Sequence, residues 1–283
     1  MIPAMRLAPK SLILDLLSTL AGGTMPVGAL VQAAELFEIA ENSLRVALAR
    51  LLATGQVERD ERGRYRLGER AAPIDRHVNA WRRLNERLVV WRGGWIGASA
   101  GGGDPARRAR ALRLLGFREL APGLAVRPLN LRGSVTAVRD DLRELGLGSE
   151  ALIFELSELD PAAQARASRL WDVDELRRGY RACRAELEES RKRLVSAGER
   201  EGMVESYRIG GRVIRQLSFD PLLPEQILPA AEREALLDAM QRYDLLGRRL
   251  WAGFLERHGV LARRPPVQSP LPLPAASDLG AQP

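Results

Sequence analysis

Residues 11–68 constrain the fold more than any other part of the chain, because three helical segments are followed there by an arginine-rich hairpin. The segments SLILDLLSTLAG and PVGALVQAAELFE predict the first two helices, and Pro26 suits the first turn of the second. NSLRVALARLLAT predicts the third, with Asn42 as its N-cap and Gly55 as the residue that ends it. QVERDERGRYRLGE predicts two short strands around Gly63. This order of elements is typical of a winged helix-turn-helix.

The third helix has one apolar face and one small or cationic face. Leu44, Ala47, Leu48 and Leu51 follow the spacing of a face that packs on a core. A recognition helix needs an opposite face that can enter a DNA groove, where arginine bonds a guanine edge or a phosphate. The alternative is a surface helix whose arginines are only solvated. The residues on that opposite face are Asn42, Ser43, Arg45, Val46, Ala49 and Arg50.

The hairpin favours the DNA-binding interpretation. It carries Arg59, Arg62, Arg64 and Arg66, which are suited to phosphate contacts or to an adjacent minor groove. The hairpin would then be the wing. A winged helix can also dock other proteins without reading DNA, and the sequence leaves that alternative open.

Composition restricts the class of protein. With 283 residues and 46% hydrophobic residues, the chain is long and apolar enough for two or three folded domains. The single cysteine, Cys183, excludes an intramolecular disulfide framework and a multi-cysteine zinc site, which fits the cytoplasm. Asp15 interrupts the first apolar run, so we expect a core helix there instead of a signal peptide. No apolar run reaches the roughly 18 residues that a membrane span requires.

After a polar helix from His77 to about Asn85, the hydrophobic period changes. The segments RLVVWRGGWIGASA, DPARRARALRLLGF, FRELAPGLAVRPLN, GSVTAVRDDLRELGLG and ALIFELSEL predict the order βαββαβ. This order is typical of a ferredoxin-like sandwich, in which two helices cover one face of an antiparallel sheet. Trp91 and Trp95 would share one face of the first strand and fill the core.

The chain beyond Pro161 is predicted to be helical. RASRLWDVDELRRGYRACRAELEESRKRLVSAG reads as a long amphipathic segment, and we expect Asp172 to Asp174 to cap its main helix. A last helix spans 230–258 after a proline-rich connector. The fold class is therefore α+β with several domains. These domains are a winged helix-turn-helix at 1–75, a ferredoxin-like central domain with a linker helix at 76–160, a mainly helical C-terminal domain at 161–262 and a disordered proline-rich tail at 263–283.

The net charge of +7 and pI near 10.3 suit a polyanionic partner. Residues 1–75 carry 9 basic and 9 acidic groups, residues 76–150 carry 14 and 7, and residues 151–283 carry 20 and 20. The whole excess therefore lies in the middle segment. Its first helix carries a cluster of four arginines, Arg107, Arg108, Arg110 and Arg113. The cluster is either a binding site for an acidic ligand or the DNA backbone, or a helix face that is only solvated.

Taken in order, four segments resemble the PaaX family of transcriptional repressors, which control phenylacetic acid catabolism in bacteria. These are ENSLRVALARLLATGQVER with RGRYRLGE, then RALRLLGFRELAPGLAVRP, LWDVDELRRGYRA and IRQLSFDPLLPEQILP. The resemblance spans nearly the whole chain. The sequence departs from the family after the last Leu-Pro, where AAEREA replaces a tryptophan-containing run.

The resemblance implies a homodimer that binds a palindromic double-stranded DNA operator and releases it on binding an acyl-CoA thioester, typically phenylacetyl-CoA. It implies recognition-helix roles for Ser43, Arg45, Ala49 and Arg50 and wing roles for Arg62 and Arg64. We expect the anionic groups of the effector to reach the basic middle segment at Arg92, Arg107, Arg108 or Arg110. We expect no metal and no other cofactor.

A metal-dependent nuclease on the central domain is a weaker alternative. Such chemistry usually needs a carboxylate near the end of the first strand, and LVVWRGGWIGASA contains none. Asp104 comes only after a glycine-rich turn, and Asp140 and Asp141 fall within a helix. His77 and His258 are flanked by nothing that resembles a catalytic triad. The sequence therefore predicts a regulator and not an enzyme.

Overall fold

The N-terminal part of the chain forms three helices beside a small sheet. The computed structural model describes residues 7–20, 23–99, 101 and 104–260, so the predicted tail at 263–283 lies outside the described residues. In the sheet, β3 lies between β1 and β2 and is antiparallel to both. The elements are α1 (Pro9–Ser18), β1 (Met25–Pro26), α2 (Val27–Leu36), α3 (Glu41–Ala53), β2 (Val57–Arg59) and β3 (Arg64–Leu67).

The predicted core face of α3 is confirmed at Leu44, Leu48 and Leu51, which are all buried. Its predicted start is wrong, because the helix begins at Glu41 and Asn42 makes no capping bond. Glu41 suits the first turn, where a carboxylate faces the positive end of the helix dipole. Gly55 follows the last turn with a φ of 66°, as predicted for a residue that ends a helix in the left-handed region.

A linker of residues 72–87 joins this unit to the second sheet. The predicted polar helix from His77 to about Asn85 starts earlier and ends earlier, because α4 spans Ala72–Asn79. Two 3₁₀ turns, Ala80–Arg83 and Asn85–Arg87, complete the linker. Trp81 in the first of them is buried.

We expect His77 to make the stability of the protein depend on pH. Its Nε2 lies 2.9 Å from the Ser218 carbonyl oxygen, and burial lowers the pKa of the imidazole below its usual 6.5. As the pH falls, this histidine is therefore protonated at a higher pH in the unfolded chain than in the folded protein. Protonation favours the unfolded chain, so the free energy of unfolding decreases as the pH falls below about 6.5. Thermal melts at about pH 7.5 and about pH 5.5 should show a smaller fall in Tm for His77→Gln than for the wild type. His258→Gln, which removes the other histidine of the chain, should keep the wild-type fall; an unchanged fall in His77→Gln would contradict the assignment.

The second sheet has four strands in the order β5-β6-β4-β7, and all neighbours are antiparallel. The first predicted strand is shorter than expected, because residues 89–94 are irregular and Gly93 has a φ of 89°. Trp91 therefore lies outside the strand, although its ring contacts Trp95 at 5.3 Å. The elements are β4 (Trp95–Ser99), α5 (Pro105–Leu114), β5 (Arg118–Ala121), β6 (Leu124–Pro128), α6 (Ser134–Glu144) and β7 (Ile153–Leu156).

The rest of the described chain is helical. The cap predicted at Asp172 to Asp174 is confirmed, because the Asp172 carboxylate accepts the Glu175 N–H at 2.8 Å at the start of the long helix. A separate short helix precedes it and is capped by Asp160. The chain is thus a mixed α and β protein, as predicted for its class. The helices are α7 (Pro161–Ser168), α8 (Val173–Leu194), α9 (Glu199–Ser218) and α10 (Ala231–Arg257).

Two hydrophobic cores hold these elements together. One fills the space around α1–α3, and the other joins the four-stranded sheet to α8–α10. The C-terminal helices contribute to both, since Met203, Phe254 and Leu255 are buried in the first core. The N-terminal unit therefore packs against α9 and α10.

Candidate nucleic-acid interface

The face of α3 that was predicted to meet DNA is exposed along its length. It is polar or cationic at four of its positions and apolar at Val46, which is 44% exposed. An exposed helix face of this composition can approach a groove without first displacing other parts of the protein. The exposed residues are Asn42, Ser43, Arg45, Val46, Ala49 and Arg50.

The two arginines of this face differ in their surroundings. Arg45 forms an ion pair of 2.6 Å with Glu41 one turn earlier. Arg50 forms no ion pair or side-chain hydrogen bond with any residue that the structure describes. Arg50 therefore offers its whole guanidinium to a ligand, whereas Arg45 must share its charge with a carboxylate.

Asp60 shapes the hairpin that follows. Its carboxylate accepts hydrogen bonds from the backbone N–H groups of Arg62 and Arg64, at 3.0 and 2.8 Å. Gly63 then adopts a φ of 74°, which glycine tolerates without strain. The turn leaves Arg62 exposed at the tip.

The four hairpin arginines do not point to one common site. Arg66 pairs with Glu58 at 2.9 Å across the strands, and Arg59 lies over the Tyr65 ring at 5.9 Å. Arg64 donates to the Thr24 hydroxyl at 2.7 Å and to the Gly259 carbonyl at 3.2 Å. Arg62 is the hairpin arginine without such a partner among the described residues, so we expect it to be the freest to meet a phosphate.

The arginines predicted to meet an effector lie on and beside α5. Arg92, Arg107 and Arg110 are exposed, and Arg108 donates to the Gly101 carbonyl at 2.6 Å. The aliphatic part of Arg107 packs close to Gly146 at the end of α6. The role of these four side chains in binding an effector stays a prediction.

The contact between the N-terminal unit and α9–α10 was not predicted from the sequence. It contains the rings of Phe37, Tyr207, Trp251 and Phe254, with Phe37 and Tyr207 centred 4.8 Å apart. Tyr207 also donates a hydrogen bond of 2.8 Å to Asp15 on α1. The signal for this contact in the sequence is the aromatic pair Trp251 and Phe254, three residues apart on the last helix.

Two of the three carboxylates considered for a nuclease have structural partners. Asp104 caps α5 by accepting the Ala106 N–H at 3.0 Å, and Asp141 lies 3.5 Å from Arg87. Among the residues that the structure describes, no three His, Cys, Asp or Glu side chains are grouped as metal ligands. Over the same residues, no helix is both long and apolar enough to cross a membrane.

Comparisons with known proteins point to transcription regulators. A family profile described as "PaaX-like protein" matches residues 8–71. Over 223 residues the chain is 26% identical to the transcriptional repressor PaaX of Escherichia coli K12. The aligned region covers 74% of this chain and 69% of that protein. An uncharacterized protein, Rv0674 from Mycobacterium tuberculosis, is 25% identical with a TM-score of 0.48, covering 83% of this chain and 97% of the other.

Residues 8–71 thus resemble PaaX-like proteins, and the resemblance to the PaaX family predicted from the sequence is confirmed. The named relative is described as a transcriptional repressor, in agreement with the prediction that this chain is a regulator. The matched residues include α3 and the hairpin, so the comparison falls on the segment that carries the candidate interface.

Proposed function

We propose that this protein is a DNA-binding transcriptional repressor of an aromatic-acid catabolic operon of the phenylacetate type. The observation that carries the proposal is the exposed, arginine-bearing face of α3 within a PaaX-like domain. Arginine can bond two acceptors on a guanine edge, and serine and asparagine can bond either bases or phosphates. We assign the protein to the cytoplasm, where its DNA would be.

We interpret α1–β3 as a winged helix-turn-helix. The order of three helices with a strand after the first and a hairpin after the third supports this interpretation. In such a unit α3 enters the major groove, and the hairpin reaches the flanking backbone. Arg50 and Arg45 would then read bases, and Arg62 would bind phosphate.

We interpret β4–β7 with α5 and α6 as a ferredoxin-like domain, on the basis of the strand order and the antiparallel pairing. We further propose that the protein is a homodimer on a palindromic operator, since two copies of α3 would then read two equivalent half-sites. The effector would be an acyl-CoA thioester, with phenylacetyl-CoA as the first compound to test. It must bind the DNA-free form better than the DNA-bound form, because equal affinity for both would shift nothing.

A selection of bound fragments from the genome of the source organism tests the proposal. Enrichment of a two-fold symmetric sequence near aromatic-acid catabolic genes, with binding lost on addition of phenylacetyl-CoA, is the expected result. Enrichment of symmetric sites that ignore the thioester would keep the repressor and discard this effector. Absence of any enriched sequence would favour a winged-helix adaptor that docks proteins.

Val46 is expected to contact the methyl group of a thymine. It is an apolar side chain 44% exposed between the polar residues of α3, and apolar contact with the C5-methyl distinguishes thymine in the major groove. Val46→Ala should weaken operator binding by about 1 kcal/mol, and replacing the contacted thymine by deoxyuridine should cost a similar amount. The two changes together should cost little more than either alone. Fully additive losses at every thymine would show that Val46 touches none of them.

A further inference from the structure

A groove of about 410 Å³ lies between the linker and the start of α6. We call it the linker groove; its walls include Arg83, Arg87, Leu131, Arg132, Ala137 and Asp141. Its volume falls within the range of about 300–1,000 Å³ that is usual for small-molecule sites. It is separate from the arginines on α5 that the sequence suggested for an effector.

Three guanidinium groups face this groove. Arg83 and Arg132 are exposed, and Arg87 is half-buried with Asp141 at 3.5 Å. Burial lowers the pKa of Arg87, and the charge of Asp141 opposes this effect. Glu86 also lines the groove. The three arginines therefore outnumber the two carboxylates, Glu86 and Asp141, and the groove has a net positive charge.

The N-terminus of α6 opens on the same groove. This helix of 11 residues starts after Gly133, which has a φ of 87°, and neither a capping side chain nor an acidic first-turn residue faces its N–H groups. Those N–H groups and the helix dipole favour an anion. Apolar surface from Ala80, Leu131 and Ala137 lies beside them.

We propose that the linker groove binds an organic anion, which is the effector of the repressor. This inference rests on the function proposed above. Arg83, Arg87 and Arg132 bind the anionic group at the first turn of α6, since guanidinium forks match carboxylate and phosphate oxygens. The apolar part of the ligand lies against the half-buried Ala80 and Ala137.

The position of the groove explains how such a ligand acts on DNA binding. Two ion pairs attach the linker to α6, Arg87–Asp141 and Arg76–Glu144. The Asn79 side chain attaches the same linker to α1 by donating to the Ser18 hydroxyl at 3.0 Å. An anion that engages Arg87 competes with Asp141 for it, so the ligand alters the attachment of the linker that leads to the N-terminal unit.

Calorimetric titration of the full chain tests the site with three probes: coenzyme A, phenylacetate and phenylacetyl-CoA. We expect the wild type to bind at least one of them and Arg83→Gln/Arg132→Gln to bind it about tenfold or more weakly, which is 1.4 kcal/mol. Binding of coenzyme A would identify a phosphate as the anchor, and binding of phenylacetate a carboxylate. Both replaced side chains are exposed. The hydrogen bond of 3.1 Å from the Arg132 Nε to the Glu86 carbonyl oxygen, which the variant loses, is exposed as well, so we expect a Tm close to that of the wild type, which checks the fold.

Arg107→Gln/Arg110→Gln on α5 also removes two exposed arginines, and it tests the competing assignment of the effector to α5 that the sequence suggested. It should bind the probe as the wild type does. The proposal is overturned if the wild type binds none of the probes, if the groove variant binds them unchanged, or if the α5 variant loses them instead.

Operator binding, measured separately, distinguishes this inference from the proposed function. The groove variant should retain selective DNA binding but no longer release DNA when the probe is added. If the wild type binds the probe through the groove yet selects no DNA sequence, the repressor assignment fails and the anion site stands.

Discussion

Arg50→Ala is expected to weaken binding to the operator by about 1–3 kcal/mol, a loss of about 5- to 150-fold, and to relax the preference at one base position of each half-site. Arg50 is exposed on α3 and forms no ion pair with the part of the chain that the structure describes. Its removal therefore takes away a DNA contact without breaking a bond inside the protein. Anisotropy titrations on the operator and on a random duplex measure the effect.

Two variants serve as controls for Arg50. Arg45→Ala should cost less, because Arg45 already pairs with Glu41 at 2.6 Å. Arg110→Ala, which removes an exposed arginine from α5, should leave operator affinity within about twofold of the wild type, the range expected for a distant charge. An equal loss on specific and random DNA for Arg50→Ala would remove its readout role and leave it a phosphate contact.

Asp220→Ala is expected to lower the free energy of unfolding by about 3 kcal/mol. Asp220 is 6% exposed, and its carboxylate accepts the Leu222 N–H at 2.8 Å. Leu222 has a φ of 52°, a conformation that costs energy in a residue with a side chain. The variant leaves that N–H without its acceptor and leaves the buried Arg233 without the nearby negative charge.

Urea unfolding of Asp220→Ala and Asp238→Ala measures this difference. Asp238 is an exposed aspartate on α10, so its replacement should change stability by no more than about 0.5 kcal/mol. Equal unfolding midpoints for the two variants would show that Asp220 does not hold the connector.

The connector that Asp220 stabilises is also held by hydrogen bonds from the side chains of other residues. The Asn130 amide donates to the Leu222 carbonyl at 2.7 Å, and Arg127 donates to Asn130 at 3.0 Å. Burial lowers the pKa of Arg127 to about 9. The connector after α9 is thus tied to the four-stranded sheet by buried polar groups, which must be hydrogen-bonded to be tolerated.

The features that could be predicted most reliably from the sequence are those that follow from the spacing of apolar residues. The buried and exposed faces of α3 follow from spacing alone, and the hairpin follows from Gly63 and the apolar residues around it. The start of α3 was misplaced because a carboxylate at Glu41 and an asparagine at Asn42 both suit a helix N-terminus. The start of α8 could be predicted because Asp172 is a residue type that caps helices.

Contacts between distant parts of the chain were not accessible to the same reasoning. The pairing of Arg64 with Thr24 and Gly259 joins residues 40 and 195 positions apart. The packing of the Phe37 ring against Tyr207 and Trp251 also joins residues that are far apart in the sequence. The sequence could therefore suggest which residues carry the interface, but not which of its arginines are already engaged within the protein.

The most direct test of the central claim is fluorescence anisotropy with the promoter DNA upstream of the gene for this protein. Titrations at about 50 mM and about 200 mM salt, against a random duplex of equal length, separate selective from purely electrostatic binding. We expect tighter binding to the promoter at both concentrations, with an affinity that falls steeply as salt rises. Equal affinity for promoter and random DNA, or no binding at the lower salt, would contradict it.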